Sequence, residues 1–303
     1  MAHRAIFDVL GVGTNSVDTV LRLPRTPQPG TADSKLHVSD KLICLGGQTA
    51  TAMVACAGFG LRAAYIGAFG SDDHGRKMRE ALATHGVSLD RAVVRDAPNH
   101  YAVILVNDAN GERMVLWGRD ERLNLSPSEI SPDAIASARL VHVDDVDTEA
   151  AARAATLARR AGIPVTSDLD RVNDRTPELV RAVSVPIFAE HMTEALTGET
   201  DHERGLRKLR REHDGLLCVT LGERGAMALD GDRLVHVPAC RIDPVDTTGA
   251  GDVFRAGFIL GLLAGWPVEE ILRFANAAAA ASCLVLGAMN GVPTRADVER
   301  MMA

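Results

Sequence analysis

The stretch Asp246-Thr-Thr-Gly-Ala-Gly-Asp252 leads directly into an apolar segment of helical length. The first turn of a helix has N–H groups without intrahelical partners, and the helix dipole adds partial positive charge there. Gly249 and Gly251 lack a Cβ atom, so a ligand can approach this backbone closely. The stretch therefore predicts a site for an anion, most naturally phosphate.

Asp252 stands at the join between this loop and the helix. We expect its carboxylate to be ionised there and to accept a proton from a hydroxyl beside the anion. An anion site next to a carboxylate base is what phosphoryl transfer to an alcohol requires. A plain turn with a helix-capping aspartate would account for a bare Gly-x-Gly-Asp run, but the full stretch is more specific.

The chain has 303 residues, of which 46% are hydrophobic and 24% charged, and its formal net charge is −7. This composition is typical of a globular protein. Because the chain has no long basic block, neither nucleic acid nor an anionic membrane is an expected partner. An anionic substrate must be held by local dipoles or by a few arginines.

The five cysteines are scattered, without a Cys-x-x-Cys pair. This spacing predicts neither a zinc site nor a disulfide framework, and it fits a reducing, cytoplasmic location. The N-terminal residues lack the apolar core of a signal peptide, and no run of roughly 18 apolar residues predicts a membrane span. No linker divides the chain, so we expect a single domain over residues 1–303.

Short apolar strands alternate with amphipathic helices along most of the chain. Such alternation predicts an α/β fold with a mainly parallel central sheet flanked by helices. The predicted strands are 7–13, 64–69, 139–143, 163–168, 186–189 and 216–220, and the predicted helices are 48–59, 74–85, 150–161, 176–183, 193–197, 203–212 and the buried segments near 253–265 and 274–288.

A hairpin interrupts this alternation. The runs 101–106 and 113–117 flank the turn signal Asn110-Gly111, and both faces of the first run are apolar. We therefore expect cover on both faces of the hairpin, from the core, a substrate or another subunit. The segment 35–45 is predicted to be extended and 23–33 to be a loop.

Polar residues that follow strands are candidates for substrate binding. The carboxyl edge of an open α/β sheet is where ligands bind. Asn15 and Asp18 are candidates for sugar hydroxyls, although capping of a turn is an alternative. Gly46 and Gly47 open a helix that contains Thr51, and this helix start is a weaker candidate. A dinucleotide site is not expected after the first strand, because Ser16 replaces the third glycine of the fingerprint.

Other residues are candidates for a nucleotide or a metal. Thr220, Gly222 and Gly225 lie in a strand and the glycine-containing turn that follows it. These residues either border a bound nucleotide or form a plain hairpin turn. The buried Asn276 lines an adenine pocket or satisfies neighbouring backbone. Glu194 is a candidate for ordering waters around Mg²⁺. The run 168–171 ends a strand and contacts either substrate or solvent.

Taken together, these motifs resemble the PfkB (ribokinase-like) family of carbohydrate and nucleoside kinases, from Gly11 to Pro293. The resemblance implies a ribokinase-like core with a small β-sheet lid built from segments near 34–45 and 100–118, which would pair two subunits as a homodimer. It implies ATP and Mg²⁺ as cofactors and Asp252 as the base. The roles it implies for other residues are the anion hole for Gly249, Ala250 and Gly251; substrate contact for Asp18, Asn15, Gly46 and Gly47; ATP contact for Thr220, Gly222, Gly225 and Asn276; and a monovalent cation such as K⁺ for the loop Asp246–Thr248 and the backbone near 282–291.

The chain departs from the family pattern at two places. Thr51 stands where the family often has Asn, which leaves the identity of the sugar open. His191-Met-Thr-Glu194 stands where the family often has Asn-x-x-Glu, which weakens the Mg²⁺ network but keeps Glu194. The pattern around Gly46 resembles the branch with ketohexokinase-like and sulfofructose kinase-like enzymes.

The sequence thus predicts ATP-dependent phosphorylation of a primary hydroxyl of a sugar or sugar derivative. A nucleoside kinase is the first alternative, with Trp117 or Tyr101 lining a pocket for a base. A non-catalytic sugar-binding regulator is the second. Aromatic residues are only 4% of the chain, which favours a small sugar.

Overall fold

The computed structural model describes residues 5–28, 30–31, 34–109 and 113–303. Its strands are β1 (Phe7–Val12), β2 (Ser16–Leu23), β3 (Asp40–Gly46), β4 (Ala63–Ile66), β5 (Ala68–Gly70), β6 (Val93–Arg95), β7 (Tyr101–Asn107), β8 (Arg113–Gly118), β9 (Ala138–Asp144), β10 (Val165–Asp168), β11 (Ile187–Phe188), β12 (Leu217–Thr220), β13 (Ala226–Asp230) and β14 (Arg233–Val237). Its α-helices are α1 (Gln48–Gly58), α2 (Asp73–Thr84), α3 (Pro132–Ala136), α4 (Thr148–Arg160), α5 (Thr176–Ala182), α6 (Glu190–Thr197), α7 (His202–Leu209), α8 (Ala250–Ala264), α9 (Val268–Ser282) and α10 (Arg295–Met302).

The centre of the molecule consists of two four-stranded sheets joined edge to edge. The first has the order β10-β9-β1-β4 and is parallel throughout. The second has the order β11-β12-β13-β14, in which only the β11–β12 pair is parallel. The N–H of Leu169 donates to the carbonyl of Ile187, and the N–H of Ala189 donates to the carbonyl of Leu169. These bonds join β10 to β11, so the sheet is continuous and mostly parallel.

Helices cover both faces of this sheet, which explains why its strands are apolar on both sides. Val9 and Leu140 belong to a core shared with α1, α2, α8 and α9. Leu10 and Val141 belong to a second core shared with the helices from α3 to α7. Adjacent strand residues thus point into opposite cores. The predicted α/β architecture with a mainly parallel sheet is confirmed.

The second apolar segment of the C-terminal half ends earlier than the run of apolar residues suggests. Helices α8 and α9 pack closely because Gly257 faces Ala275, whose Cα would lie 3.0 Å from a Cβ added at residue 257. The chain leaves α9 at Ser282 and continues as turns through the residues that follow. Those turns return to the loop that precedes α8.

A separate small sheet has the order β3-β2-β7-β8. Strands β2 and β7 are parallel, and the two outer pairs are antiparallel. In the register of this sheet, Asp18 lies opposite Ala102, and Ala102 lies opposite Trp117. The small sheet matches the predicted lid, while the turn expected at Asn110-Gly111 lies outside the described residues.

Several elements of the fold are absent from the sequence prediction, among them β2, β6, β14, α3 and α10. Strand β2 was not predicted because its first half contains the polar residues Ser16, Asp18 and Thr19 and prolines follow its end. The turn between β12 and β13 was considered as a plain hairpin turn or a nucleotide border, whereas the β13–β14 hairpin was not predicted. None of the helices in the described part of the chain combines the length and the apolarity needed to span a bilayer.

Candidate active site

A cleft of about 410 Å³ lies between the carboxyl ends of the central strands and the inner face of the lid. We call the lid face that contains Asp18, Ala102 and Trp117 the inner face. The cleft has the volume of an ordinary small-molecule site. The sequence-predicted site residues that line it are Asp18, Gly46, Gly47, Thr220, Thr248, Gly249, Gly251 and Asp252.

Helix α8 begins at the floor of this cleft. Gly249 precedes it with φ of 81°, in the left-handed region that favours glycine. A Cβ atom at this position would lie 2.7 Å from the Cβ of Ala288. The N–H of Ala250 donates to the carbonyl of Thr247 at 3.3 Å, so this amide already has an acceptor. Gly249 and Gly251 border the cleft, as an anion site at the start of the helix requires.

Asp246 holds the loop in this shape. One oxygen of its buried carboxylate accepts the N–H and the hydroxyl of Thr248, at 2.9 and 2.7 Å. The other accepts the N–H of Gly287 at 2.9 Å. The N–H groups of Val245 and Asp246 donate to the carbonyl of Cys283. The two segments predicted to share a monovalent cation therefore lie against each other, and the cation itself stays a prediction.

An ion pair lies beneath the start of α8. Nη2 of Arg255 is 2.7 Å from a carboxylate oxygen of Asp168, and both side chains are almost fully buried. Nη1 of Arg255 donates to the carbonyl of Gly251 at 3.0 Å. Arg255 therefore ties the end of β10 to the first turn of α8. This residue was not identified from the sequence, although its position in an apolar helix was an available signal.

Asp252 forms a side-chain hydrogen bond with Asp168. Burial raises the pKa of Asp252 well above its ordinary value, and the neighbouring carboxylate of Asp168 raises it further, while Arg255 opposes both effects. Burial also raises the pKa of Asp168, to about 6, again against Arg255. The sequence predicted an ionised Asp252. In the structure Asp252 and Asp168 are in contact, and such a pair favours sharing one proton.

Other buried carboxylates position the loops around the cleft. Asp144, at the end of β9, accepts the N–H and hydroxyl of Thr14 at 2.6 and 2.9 Å and the hydroxyl of Thr49 at 2.8 Å. Asp145 accepts the N–H groups of Asp170 and Arg171, both at 2.6 Å. Burial raises the pKa of Asp145 to about 7. Sequence reasoning missed both residues, although acids at the end of a predicted strand were a usable signal.

Asp18 faces the cleft from the lid. The residue is 9% exposed, and its carboxylate accepts a hydrogen bond from the hydroxyl of Ser16 at 2.9 Å. Burial raises its pKa, and this hydrogen bond opposes the effect. A Cβ at Gly46 would lie 3.1 Å from this carboxylate, and Gly47 has φ of 97° with its backbone against Asn15. The paired glycines thus let the chain pass closely beside Asp18.

Two predicted substrate residues do not line the cleft. The amide nitrogen of Asn15 donates to the Tyr65 hydroxyl at 3.1 Å and to the carbonyl of Ala68 at 2.8 Å. Its oxygen accepts the side-chain amide of Asn99 at 3.0 Å. Thr51 is fully buried within α1. Asn15 therefore supports the loop that leads to Asp18, and direct substrate contact by either residue stays a prediction.

The predicted nucleotide and metal residues are spread over a wider surface. Thr220 borders the cleft, whereas Gly222 and Gly225 form the turn after β12 with φ of 56° and 90°. The side-chain amide of Asn276 donates to the carbonyls of Val237 and Pro238, at 2.9 and 3.1 Å. Glu194 is exposed on α6, away from the cleft lining.

Comparisons with known proteins identify the class of protein that this fold and cleft define. The model of the pfkB family carbohydrate kinases matches residues 16–295. The chain belongs to this family, and it is a sugar or nucleoside kinase.

Individual relatives agree with this assignment. The chain is 32% identical to the ATP-dependent ribose-1-phosphate kinase of Halopiger xanaduensis, over 90% of each sequence. It is 26% identical to the ribokinase of Bacillus subtilis, over 96% of this chain and 98% of the relative. Among solved structures, the Arabidopsis thaliana ribokinase complexed with ribose and ATP superimposes with a TM-score of 0.85 at 25% identity, covering 99% of both chains.

The loop before α8 can be tested by comparing two glycines with left-handed backbone. Replacing either Gly249 or Gly265 with alanine should cost about 1–2 kcal/mol through backbone strain. Only Gly249→Ala also places a Cβ against Ala288, whereas a Cβ at residue 265 meets open space. We therefore expect a larger loss of unfolding free energy for Gly249→Ala, measured by urea denaturation. Equal losses would show that the contact with Ala288 relaxes freely.

Proposed function

We propose that this protein transfers a phosphoryl group from ATP to a primary hydroxyl of a sugar or sugar derivative. One observation supports this above the others: Asp252 lies in the cleft beside Gly249 and Gly251, at the start of α8. A carboxyl group and the backbone of a glycine-rich helix start are thus available at one place. These are the groups that proton removal and charge stabilisation require.

In this proposal Asp252 accepts the proton of the acceptor hydroxyl. Burial and Asp168 raise its pKa, so its carboxylate is a stronger base than an exposed aspartate once it is ionised. Arg255 forms an ion pair with Asp168 and donates to the carbonyl of Gly251. These contacts fix the position of the Asp168 and Asp252 carboxyl groups relative to the loop. Amides of the loop donate to the charge that develops on the transferred group. Asp18 accepts hydrogen bonds from sugar hydroxyls on the lid side.

The cleft also fits a nucleotide and its phosphates. Gly249 borders the cleft without a Cβ atom, and a Cβ added there would meet Ala288. Thr220 borders the same cleft, and the turn with Gly222 and Gly225 follows it directly. ATP bound there would supply the phosphoryl group. We assign Mg²⁺ coordination through water to Glu194 and K⁺ to the loop Asp246–Thr248, as the family resemblance implies, and we place the enzyme in the cytoplasm.

Replacement of Asp252 with asparagine tests the base directly. The amide keeps the size of the carboxyl group but cannot accept the proton, so turnover should fall by on the order of 10²–10⁴ or more while nucleotide affinity is retained. Asp174→Asn, at an exposed position outside the cleft, is the matched control. Turnover would be measured by coupled ADP release and affinity by calorimetry. Near-normal turnover in Asp252→Asn would remove Asp252 from this role.

The carboxyl pair generates a prediction about pH. Activity that needs ionised Asp252 falls as the pH drops through its pKa. Asp168→Asn removes the neighbouring negative charge and leaves Arg255 without its carboxylate partner, so the pKa of Asp252 should fall. The acidic limb of kcat/KM should then move to lower pH. A limb that stays in place or moves upward would contradict the coupling, provided thermal unfolding shows the variant to be folded at each pH.

A nucleoside acceptor is the second candidate. The Trp117 side chain lines the inner face of the lid and is 59% exposed, so it can stack against a base. A nucleoside kinase of Methanothermobacter thermautotrophicus is 28% identical to the chain, over 98% of this chain and 96% of the relative. Coupled ADP release with ribose, fructose, adenosine and uridine separates the candidates. Sugar binding without ADP release for any acceptor would favour the non-catalytic regulator.

We also propose that the outer face of the lid pairs two copies of the chain. The face opposite the cleft presents apolar side chains from three strands: Ile43 is 45% exposed, Tyr101 42%, Met114 46% and Leu116 52%. Exposure of this size on one sheet face is typical of an interface. The lid is the part of the molecule that the family resemblance implies for dimerisation.

Light scattering after size-exclusion chromatography tests this pairing. We expect a dimer for the natural sequence and a monomer for Leu116→Lys, because a buried lysine in an apolar interface has no charge partner. Val172→Lys introduces the same charge at an exposed apolar position outside the lid and should leave the dimer intact. A monomeric natural sequence, or a dimeric Leu116→Lys variant, would contradict the proposal.

A further inference from the structure

Arg171 is a charged side chain of the cleft that the proposed phosphoryl transfer does not use. It follows β10 in the chain, is exposed, and lines the cleft. Its backbone is held in place because its N–H donates to the buried carboxylate of Asp145 at 2.6 Å. Within the described part of the chain its guanidinium has no carboxylate within ion-pair distance, unlike Arg119, which pairs with Asp147 at 2.7 Å.

The guanidinium of Arg171 lies over the Trp117 ring, with its central carbon 5.4 Å from the ring centroid. A guanidinium held over an aromatic ring keeps its N–H donors available to a ligand. A planar donor edge held in this way matches the paired oxygens of a phosphate or a carboxylate. The stack thus presents a preorganised cation to the cleft.

The surroundings of the stack also favour an anion. The His100 ring packs edge-on against Trp117, with centroids 6.2 Å apart, and lines the same cleft. Its Nδ1 atom is buried and has no hydrogen-bond partner among the described residues. Burial, together with the positive charges of Arg119 and Arg171, lowers the pKa of His100 to about 4. The imidazole is therefore neutral, and the positive charge of Arg171 is left for a bound ligand to neutralise.

The register of the lid sets a distance between this cation and the hydroxyl-binding carboxylate. Asp18, Ala102 and Trp117 stand in one row across three neighbouring strands, and all three face the cleft. Two strand spacings amount to about 10 Å. A single small molecule can therefore place hydroxyls at Asp18 and a charged group beneath Trp117.

We infer that the acceptor is an anionic sugar, a sugar phosphate or a sugar acid, whose charged group binds the Arg171 guanidinium where it stacks on Trp117. This inference rests on the proposed kinase function in taking the occupant of the cleft to be the acceptor. Arg171 then determines specificity and takes no part in proton transfer. Neutral sugars of the same skeleton satisfy Asp18 and leave the cation without a partner.

Matched pairs of acceptors with a free primary hydroxyl test the inference: ribose and ribose 1-phosphate, fructose and fructose 6-phosphate, glucose and gluconate. For at least one pair, KM should be about 10- to 100-fold lower for the anionic member, as expected for a charge-assisted hydrogen bond. The phosphate and carboxylate pairs distinguish the two kinds of anion.

Arg171→Gln should raise KM for that anionic member by a similar factor, while KM for its neutral partner and for ATP stays unchanged. Arg171→Lys, which keeps the charge and loses the planar edge, should restore part of the affinity. Arg160→Gln, an exposed arginine outside the cleft, is the matched control. Equal KM within every pair, or a fall in kcat shared by both members of a pair, would overturn the inference and leave the kinase proposal standing.

Calorimetry with the same pairs, without nucleotide, makes the inference independent of turnover. Tighter binding of an anionic member that Arg171→Gln abolishes would support the site even if no acceptor releases ADP. Absence of ADP release from every acceptor would contradict the proposed function. Equal binding of charged and neutral members would contradict the inference.

Discussion

The ion pair between Asp168 and Arg255 is the contact on which the geometry of the cleft depends. It joins the end of a central strand to the first turn of α8, with an atom separation of 2.7 Å and almost no exposure to solvent. Two buried charges without each other would be costly, because neither has water to solvate it. The pair therefore constrains how the helix start can sit relative to the sheet.

The consequences of this constraint reach both the loop and Asp252. Arg255 also holds the carbonyl of Gly251, so the glycine-rich loop is fixed from below while Asp246 fixes it from the side. Asp168, held by Arg255, lies in contact with Asp252 and raises the pKa of that carboxyl group. The ion pair that holds the helix start in place therefore also sets the pKa of Asp252. Electrostatic networks of this kind are common where proteins tune a carboxyl group.

The lid has two different faces, because alternate residues along each strand point to opposite sides of the sheet. Alternate residues of β7 and β8 point to opposite faces, so Ala102 and Trp117 face the cleft while Val103 and Leu116 face away. Both faces are apolar, but one lines the cleft and the other is exposed to solvent. A hairpin with a single solvated face would alternate between apolar and polar residues.

Much of this molecule could be predicted from local pattern. Short apolar runs that alternate with amphipathic helices predicted the parallel sheet, because strands buried on both faces need apolar residues throughout. The seven residues from Asp246 to Asp252 predicted the loop at the start of α8, because paired glycines and an acid at a helix start are typical of a backbone that binds an anion. Strand β2 was missed, because Ser16 and Asp18, which line the cleft, are polar and interrupt the apolar pattern of a buried strand.

What the sequence by itself determined is the fold class, the family and the position of the helix start with its acid. Only the tertiary structure decided which distant side chains meet there: Asp168 and Arg255 beneath Asp252, and Arg171 over Trp117. The reason is physical. Local pattern reflects which residues an element must bury, whereas pKa values and ligand contacts depend on the separation of groups that are far apart in the chain, and this separation is fixed only when the sheet, the helices and the lid pack together.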